Sequence, residues 1–312
     1  MRRLLIPIAA LIAVFAIPAG ASASYTLGVS DQLPSTFTNP HFAPLHFTAA
    51  RYITPYDVMD SPADKAKLQQ WYTAAVAAHQ KVLVSFEHSH RSNSLARKAP
   101  TVAAYTRAMK KFKAAYPNVK EISPWNEVNR CQRTIAGSVQ GQPVCKNPKL
   151  VAQYYMAARK VFKGKTIVGV DLLDEKDPTP GLKFLRSFLR YAKPTPKVIG
   201  FHNYSDTNRF STTRTKRVLA AFPGKVWLTE TGGIVTFGAG FPFDQQRAKK
   251  ALGCMFSIAK SNRRIQRLYV YQFNPASDPQ NASFDAGLIN PDGSTRPGYA
   301  VVKGRTARSC HK

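Results

Sequence analysis

Strand-like and helix-like segments alternate along almost the whole chain, and this alternation limits the fold more than any other feature. Eight short runs are rich in β-branched and aromatic residues, and most of them carry few charges. Strands that are buried on both faces have this composition. The predicted strands are 26–29, 47–53, 81–86, 119–122, 166–170, 198–202, 225–228 and 268–273. Apolar residues at helical spacing predict helices over 63–78, 102–115, 149–162, 181–191, 212–222 and 244–259.

Such alternation indicates βαβ units and a parallel sheet. We predict an α/β fold with a single (β/α)8 TIM barrel, because residues 24–312 are close to the length of one barrel, typically about 250 residues. Neither a linker, a repeat nor a low-complexity tract divides them. An open doubly wound sheet is the alternative. It is disfavoured because the first strand contains one glycine, Gly28, and no glycine-rich phosphate-binding turn follows it.

The first 23 residues have the order of a signal peptide. Met1-Arg2-Arg3 is basic, residues 4–17 are mostly apolar, and Ala21-Ser22-Ala23 supplies small residues for cleavage. A retained membrane helix is the alternative, but the apolar run is interrupted by Pro7 and falls short of the roughly 20 residues that cross a bilayer. We therefore predict a signal peptide at 1–23 and one exported domain at 24–312, secreted or associated with the cell wall, without membrane contact after cleavage.

Four cysteines are an even number, which in an exported chain favours disulfides. Three pairings are open. Proximity in sequence favours Cys131 with Cys145, and leaves Cys254 to tie Cys310 to a late helix. A zinc site is the competing interpretation, but the chain has no Cys-x-x-Cys motif and no cysteine–histidine cluster.

The net charge of the chain is +28 with neutral histidines. A field of this size attracts polyanions. Nucleic acid is disfavoured because the charges are dispersed over predicted outer helices and no RNA-binding or helix-turn-helix signature accompanies them. An anionic cell-wall polymer suits an exported protein better. The alternative is a charged surface that only keeps the protein soluble.

Two glutamates, Glu127 and Glu230, each stand where a predicted strand ends, and polar or glycine-rich sequence follows. Catalytic groups of parallel barrels lie at the carboxyl ends of the strands. Cleaving a glycosidic bond with retention needs two carboxyl groups about 5 to 5.5 Å apart, one protonated and one ionised. The pair therefore predicts glycoside hydrolysis. Structural carboxylates that pair with buried arginines are the alternative.

Trp125-Asn126-Glu127 and Thr229-Glu230-Thr231-Gly232 resemble the fourth-strand and seventh-strand signatures of the clan A retaining glycoside hydrolases. That resemblance implies a (β/α)8 barrel, with Glu127 as the acid/base and Glu230 as the nucleophile. It also implies that Asn126 donates to the sugar hydroxyl beside the anomeric centre.

Other segments agree with the resemblance. The run 200–204 is similar to the clan's sixth-strand segment with His202 and Tyr204, which implies that the Tyr204 hydroxyl donates to the nucleophile. The run 49–53 resembles the second-strand segment in which an arginine, here Arg51, supports the nucleophile electrostatically. Core polar groups without substrate contact are the alternative for all three. Residues 287–299 resemble the clan's closing loop and last helix.

The chain departs from the clan pattern at two positions. Val128 follows Glu127 where proline is common, and Tyr271 stands in the eighth-strand segment where a tryptophan often forms the floor of the sugar site. Trp125, Tyr271 and Phe273 are candidates for stacking on sugar rings, and packing in the core is their alternative role.

A second polar group ends the third predicted strand. Glu87, His88 and His90 could line the cleft or ligate a metal, but a clear third ligand is missing, so we expect no metal and no cofactor. Asp57 and Asp171 also lie near predicted strand ends, where they could bind substrate or be ordinary loop acids.

Taken together, these residues predict a secreted, monomeric retaining glycosidase that acts on a polysaccharide or oligosaccharide, of β-glucan type or an anionic wall polymer. The alternative is a catalytically inactive basic barrel that binds anionic cell-wall polysaccharide.

Overall fold

The computed structural model describes residues 25–131 and 141–310. The predicted signal peptide therefore lies outside the described residues. Within them, no helix combines the length and the apolar character needed to cross a membrane.

The described residues form one sheet of nine strands, all paired in parallel. The strands are β1 Thr26–Ser30, β2 Ala49–Pro55, β3 Lys81–Glu87, β4 Glu121–Ser123, β5 Thr166–Ile167, β6 Asp171–Leu173, β7 Val198–His202, β8 Lys225–Thr231 and β9 Ile265–Val270. Their order is β5-β4-β3-β2-β1-β9-β8-β7-β6. Each predicted strand is present, although several bounds differ by a few residues.

The two ends of this order, β5 and β6, are halves of one strand position. Val168 N donates to Ile122 O on the β4 side at 2.8 Å, and Gly169 N donates to Val198 O on the β7 side at 2.8 Å. Bonds to both neighbours close the sheet into a barrel. The predicted (β/α)8 architecture is therefore confirmed and the open doubly wound alternative is wrong. The fifth strand changes partners near Gly169, so the single run predicted at 166–170 is divided.

The helices surround the sheet. They are α1 Pro62–Ala77, α2 Asn93–Ala96, α3 Val102–Ala115, α4 Pro148–Val161, α5 Thr179–Tyr191, α6 Tyr204–Asn208, α7 Thr213–Ala221, α8 Gln245–Lys260 and α9 Pro297–Gly304. Local chemistry explains their starts: Ser61 caps α1 by accepting from Asp64 N, and Pro62 occupies the first turn. The short helices α2 and α6 were not predicted, since four or five residues carry too little periodicity.

Apolar side chains fill two regions. The larger one lies between the sheet and the helices and includes fully buried Trp71, Phe112 and Phe188. The smaller one is a separate cluster of strand residues: Ala49, Leu83, Val168, Val198, Trp227 and Tyr269. Next to it, Arg267 stacks 3.9 Å from the centroid of the Trp227 ring and forms an ion pair with Glu121. Glu121 was a charged residue within a predicted strand, and its charge is neutralised by Arg267 in the wall of the barrel.

Both predicted disulfides are present. Cys131 is bonded to Cys145, 14 residues away, and Cys254 is bonded to Cys310, 56 residues away. The second bond joins α8 to the segment after α9.

Removing the Cys254–Cys310 bond should destabilise the fold more than removing the other one, because the loop it closes is longer. The chain-entropy relation gives about 4 kcal/mol for the long loop and about 3 kcal/mol for the short one. Urea unfolding of the double variants Cys254→Ala/Cys310→Ala and Cys131→Ala/Cys145→Ala measures both. A larger loss of unfolding free energy in the short-loop variant would contradict this ranking.

Candidate active site

The cleft at the carboxyl ends of the strands has a volume of about 1010 Å³. Asn126, Glu127, Tyr204, Glu230 and Tyr271 all line it, which places five of the predicted site residues in one cavity. The barrel topology explains this convergence, because the carboxyl ends of parallel strands meet on one face.

Glu230 lies inside β8 and is held from two sides. Arg51 Nη1 on β2 donates to Glu230 Oε2 at 2.6 Å, and the Tyr204 hydroxyl donates to Glu230 Oε1 at 3.0 Å. Both bonds fix the orientation of the carboxylate. Burial, followed by the charge of Glu230, raises the pKa of Tyr204 well above its usual value, so the hydroxyl remains a donor. Both side chains therefore contact Glu230 as expected, and their roles in catalysis stay predictions.

Arg51 is fully buried and also binds a second acid. Its Nη2 lies 3.5 Å from Asp171 Oδ2 and donates to Asn126 Oδ1 at 2.7 Å. Asp171 accepts in addition from hydroxyls on three strands: Ser85 at 3.0 Å, Ser123 at 2.6 Å and Thr229 at 2.7 Å. Although burial favours the neutral acid, the charge of Arg51 and these hydroxyls lower the pKa of Asp171. Asp171 is therefore a buried counter-ion below the cleft.

Glu127 stands four residues beyond the end of β4, in a turn where its own φ is 45°. The hydrogen bond from Asn126 N to Phe86 O, 2.6 Å, fixes this turn against β3. Arg130 Nε lies 2.6 Å from Glu127 Oε2, and His202 Nδ1 lies 3.1 Å from Oε1. Burial alone would raise the pKa of Glu127, but the His202 hydrogen bond and the charge of Arg130 outweigh it and lower the pKa to about 2.

His202 is fully buried, and its contacts fix its tautomer. Nε2 lies 3.3 Å from Arg51 Nη2, which can only donate, so Nε2 accepts and Nδ1 carries the hydrogen that faces Glu127. Donor atoms of Glu127, His202 and Glu230 lie within 4.8 Å of one another, as metal ligands do. The bound hydrogen on Nδ1 and the two arginines that neutralise the carboxylates do not fit a metal there.

The distance between Glu127 and Glu230 distinguishes a retaining from an inverting arrangement. A carboxylate oxygen of Glu127 and one of Glu230 lie within 4.8 Å of each other. Retaining glycosidases have carboxyl groups about 5 to 5.5 Å apart, whereas inverting ones need about 6.5 to 9.5 Å to admit a water molecule. The arrangement has the spacing for direct attack by one carboxylate while the other exchanges a proton.

Several expected substrate contacts are absent from the described cleft. Arg51 and His202 are fully buried beneath the carboxylates, so they support the acids without touching a sugar. Trp125 and Phe273 are also fully buried. Trp125 packs between Tyr56 and Tyr154 and donates to Gln142, so stacking on a sugar ring does not fit its position. Of the three candidate aromatics only Tyr271 lines the cleft.

Other aromatic residues take that place beside Tyr271. Phe284 lies 5.8 Å from Tyr271 and 5.5 Å from Phe237, measured between ring centroids, and Phe241 lies farther along the same wall. These phenylalanines come from the loops after β8 and β9, where the sequence has no periodic signal. They form an apolar wall of the kind that stacks on sugar rings.

Glu87, His88 and His90 lie together at the other side of the cleft. His90 Nε2 is 3.1 Å from Glu87 Oε1, and its Nδ1 is 3.5 Å from Asp64. The hydrogen bond and charge of Glu87 outweigh burial and raise the pKa of His90. Asp57, in the segment after β2, accepts from Ser89, in the segment after β3, at 2.7 Å, which gives it a structural partner in the neighbouring loop. The polar cluster contributes to the cleft wall through Glu87 and His90.

Sequence reasoning missed Arg130 and ranked Asp171 with ordinary loop acids. For the glutamates, composition itself is a signal, because the chain has only five: Glu87, Glu121, Glu127, Glu175 and Glu230. All except Glu121 line the cleft. In a chain so poor in glutamate, each one is a candidate for a specific role.

Comparisons with known proteins identify the fold and the family. No curated protein matches this chain. Solved structures do match. The GH5_18 protein from Streptomyces cattleya in complex with GlcNAc has a TM-score of 0.65 at 15% identity, over 92% of this chain and 83% of its own. Xylanase B from Clostridium stercorarium F9 has a TM-score of 0.65 at 11% identity, covering 89% and 96%. Xylanase 10B from Thermotoga maritima has a TM-score of 0.62 at 13% identity, over 91% of this chain and 95% of its own.

At these identities the structural matches establish the (β/α)8 fold shared with clan A glycoside hydrolases. A sequence family described as glycosyl hydrolase catalytic core matches residues 104–300, which is more than half of the chain and includes Glu127 and Glu230. The chain belongs to this glycosyl hydrolase catalytic core family and is a glycosidase.

Proposed function

We propose that this protein is a secreted retaining glycosidase in which Glu230 is the nucleophile and Glu127 is the acid/base. The observation that carries the proposal is the separation of at most 4.8 Å between a carboxylate oxygen of each residue. In an inverting enzyme, a water molecule would have to fit between Glu230 and the sugar.

In the first step Glu230 attacks the anomeric carbon while the bond to the leaving oxygen breaks and Glu127 gives that oxygen its proton. A covalent glycosyl-enzyme results. Arg51 and Tyr204 orient the attacking carboxylate through the contacts described above. Asn126 lies in the cleft beside Arg51, where its side-chain amide can donate to the neighbouring sugar hydroxyl.

In the second step Glu127 takes a proton from water, and the resulting hydroxide attacks the anomeric carbon. The bond to Glu230 breaks and the sugar leaves with its original configuration. His202 and Arg130 favour the ionised form of Glu127 that this step requires. No cofactor takes part in either step.

The proposed substrate is a polysaccharide or oligosaccharide of β-glucan type. The cleft has a volume of about 1010 Å³, and the aromatic wall of Phe237, Phe241, Phe284 and Tyr271 offers apolar faces for sugar rings. Structural relatives include the xylanases named above and fungal β-1,4-galactanases. Export is supported by the signal-like residues 1–23 and by two disulfides, which persist in oxidising compartments. We expect the mature domain at 24–312 to act as a monomer.

Glu127→Gln and Glu230→Gln should each lower kcat on a matched polysaccharide at least about a thousandfold, since each removes a group that exchanges a proton or forms a bond. A panel of β-glucan, xylan, mannan and galactan with product sizing identifies the substrate, and proton NMR of the first product reports the anomeric configuration. Glu175→Gln is the matched control in the same cleft and should lower kcat less than tenfold. Full activity of either catalytic variant, or an inverted product, would overturn the assignment.

The charge of +28 favours a second candidate function, adsorption of the barrel to an anionic cell-wall polymer. Exposed basic residues on α5 and α7, such as Lys183, Arg186 and Lys216, supply part of this field.

Adsorption to immobilised polygalacturonate should be strong at low salt and should fall steeply between about 0.05 and 0.5 M NaCl, because added salt screens exposed charges. The double variant Glu127→Gln/Glu230→Gln should adsorb as strongly as the wild type, because binding would use the outer surface and not the cleft. Neutral dextran is the control matrix. Equal retention on both matrices would contradict a charge-driven interaction.

A further inference from the structure

Both oxygens of the Glu127 carboxylate face groups that favour its ionised form. His202 Nδ1 lies 3.1 Å from Oε1, and Arg130 Nε lies 2.6 Å from Oε2. The Arg130 contact is an ion pair in which the N–H does not point at the oxygen. An acid that protonates a leaving group must first carry a proton. The geometry around Glu127 therefore favours the second step of the proposed reaction over the first.

The position of Arg130 is set by the backbone around it. Arg130 N donates to Glu127 O at 3.0 Å, and Arg130 O accepts from Gln142 N at 2.7 Å. The next residue, Cys131, is bonded to Cys145. Only 7% of Arg130 is exposed, although it lines the cleft. These backbone bonds and the adjacent disulfide hold the Arg130 guanidinium beside the Glu127 carboxylate.

We propose that Arg130 is a positioning residue that keeps Glu127 ionised in the free enzyme, so that proton donation to the leaving group is confined to acidic solution. This inference rests on the proposed role of Glu127. The first step requires protonated Glu127, and a nearby guanidinium makes that form scarce as the pH rises. Arg130 thus sets the alkaline limit of the first step, while it assists the second step, in which Glu127 is the base.

Other charged and titratable groups also face Glu127, and they are unchanged when Arg130 alone is replaced. They are Arg51 on β2, Glu175 after β6, His202 on β7, Tyr204 on α6, Glu230 on β8 and Tyr271 after β9. Glu87 on β3 faces Arg130 itself. A change measured on replacing Arg130 therefore reports the contribution of its own charge.

The titration of Glu127 can be measured without a substrate. The chain has five glutamates, so carbon-13 labelling of glutamate side-chain carboxyls gives five resonances, and Glu127→Gln identifies one of them. The test compares wild type, Arg130→Gln, Arg130→Lys and Arg209→Gln. Arg209 lines the same cleft but stacks on Phe241 at 5.2 Å, and so controls for the loss of a cleft charge.

Wild-type Glu127 should remain ionised down to about pH 2 or to the pH at which the protein unfolds. In Arg130→Gln its titration midpoint should rise by at least about one pH unit, because an adjacent opposite charge is lost. Arg130→Lys should give an intermediate midpoint and Arg209→Gln the wild-type one. A midpoint in Arg130→Gln within 0.3 pH unit of wild type, roughly the precision of such a titration, would overturn the proposal.

Activity supplies a second readout. The first substrate is the methyl glycoside of the sugar that the enzyme releases from its active polysaccharide. With this substrate, the alkaline limb of the pH profile of kcat/KM in Arg130→Gln should move to higher pH by as much as the titration midpoint of Glu127 does. On the 2,4-dinitrophenyl glycoside, which needs no acid, the limb should stay in place. If the alkaline limb did not move with either substrate, the proposed role of Arg130 in the reaction would be overturned. If Glu127→Gln were fully active on the methyl glycoside, the acid/base assignment would fail instead.

Discussion

The site depends on one buried guanidinium. Arg51 has no exposed surface, and its two terminal nitrogens contact six residues, of which five lie on different strands and Asn126 lies in the turn after β4: Ser30, Ser85, Asn126, Asp171, His202 and Glu230. A buried guanidinium is costly unless its charge is paired and hydrogen-bonded; in Arg51 both terminal nitrogens are bonded, whereas Nε has no partner among the described residues. Asp171 and Glu230 supply the charges, and this requirement fixes where β2, β6 and β8 present their side chains. The position of Glu230, the proposed nucleophile, therefore depends on its contact with Arg51.

The charges at the carboxyl ends of the strands do not cancel. The carboxylates Asp171, Glu127 and Glu230 face two guanidiniums, Arg51 and Arg130, so the group carries one net negative charge when His202 is neutral. Positive charge develops on the sugar in an oxocarbenium-like transition state. When Glu127 carries the proton that the first step requires, the net charge of this group falls to zero, and the preorganised carboxylate of Glu230 is then the group that stabilises the charge on the sugar without reorganising solvent. The strongly positive exterior does not remove this effect, since exposed charges are screened over about 10 Å.

The sequence was sufficient for the parts of the fold that repeat locally. Helix α3 has the predicted bounds, and the strand Val198–His202 is also unchanged, because apolar periodicity and β-branched runs are local signals. The division of the fifth strand could not be read from sequence, since it follows from which neighbour each backbone group finds. For the same reason Glu127 was expected at a strand end, whereas it occupies a turn beyond β4 that is held by Phe86. Asp171 was underestimated because its partners come from distant strands.

The division of the fifth strand into β5 and β6 bears on the distance between Glu127 and Glu230. The loop that carries Glu127 follows β4, on one side of this seam, and Glu230 lies beyond β7, on the other. Val128 N donates to Asp171 O at 3.0 Å, which joins the turn that carries Glu127 to β6, and Gly200 N donates to Val170 O at 2.8 Å, which joins β7 to the residue before β6. The backbone of residues 170–171 therefore links the turn that carries Glu127 to β7, which pairs with the strand that carries Glu230. A sugar ring that presses the seam apart would separate the two carboxyl groups directly.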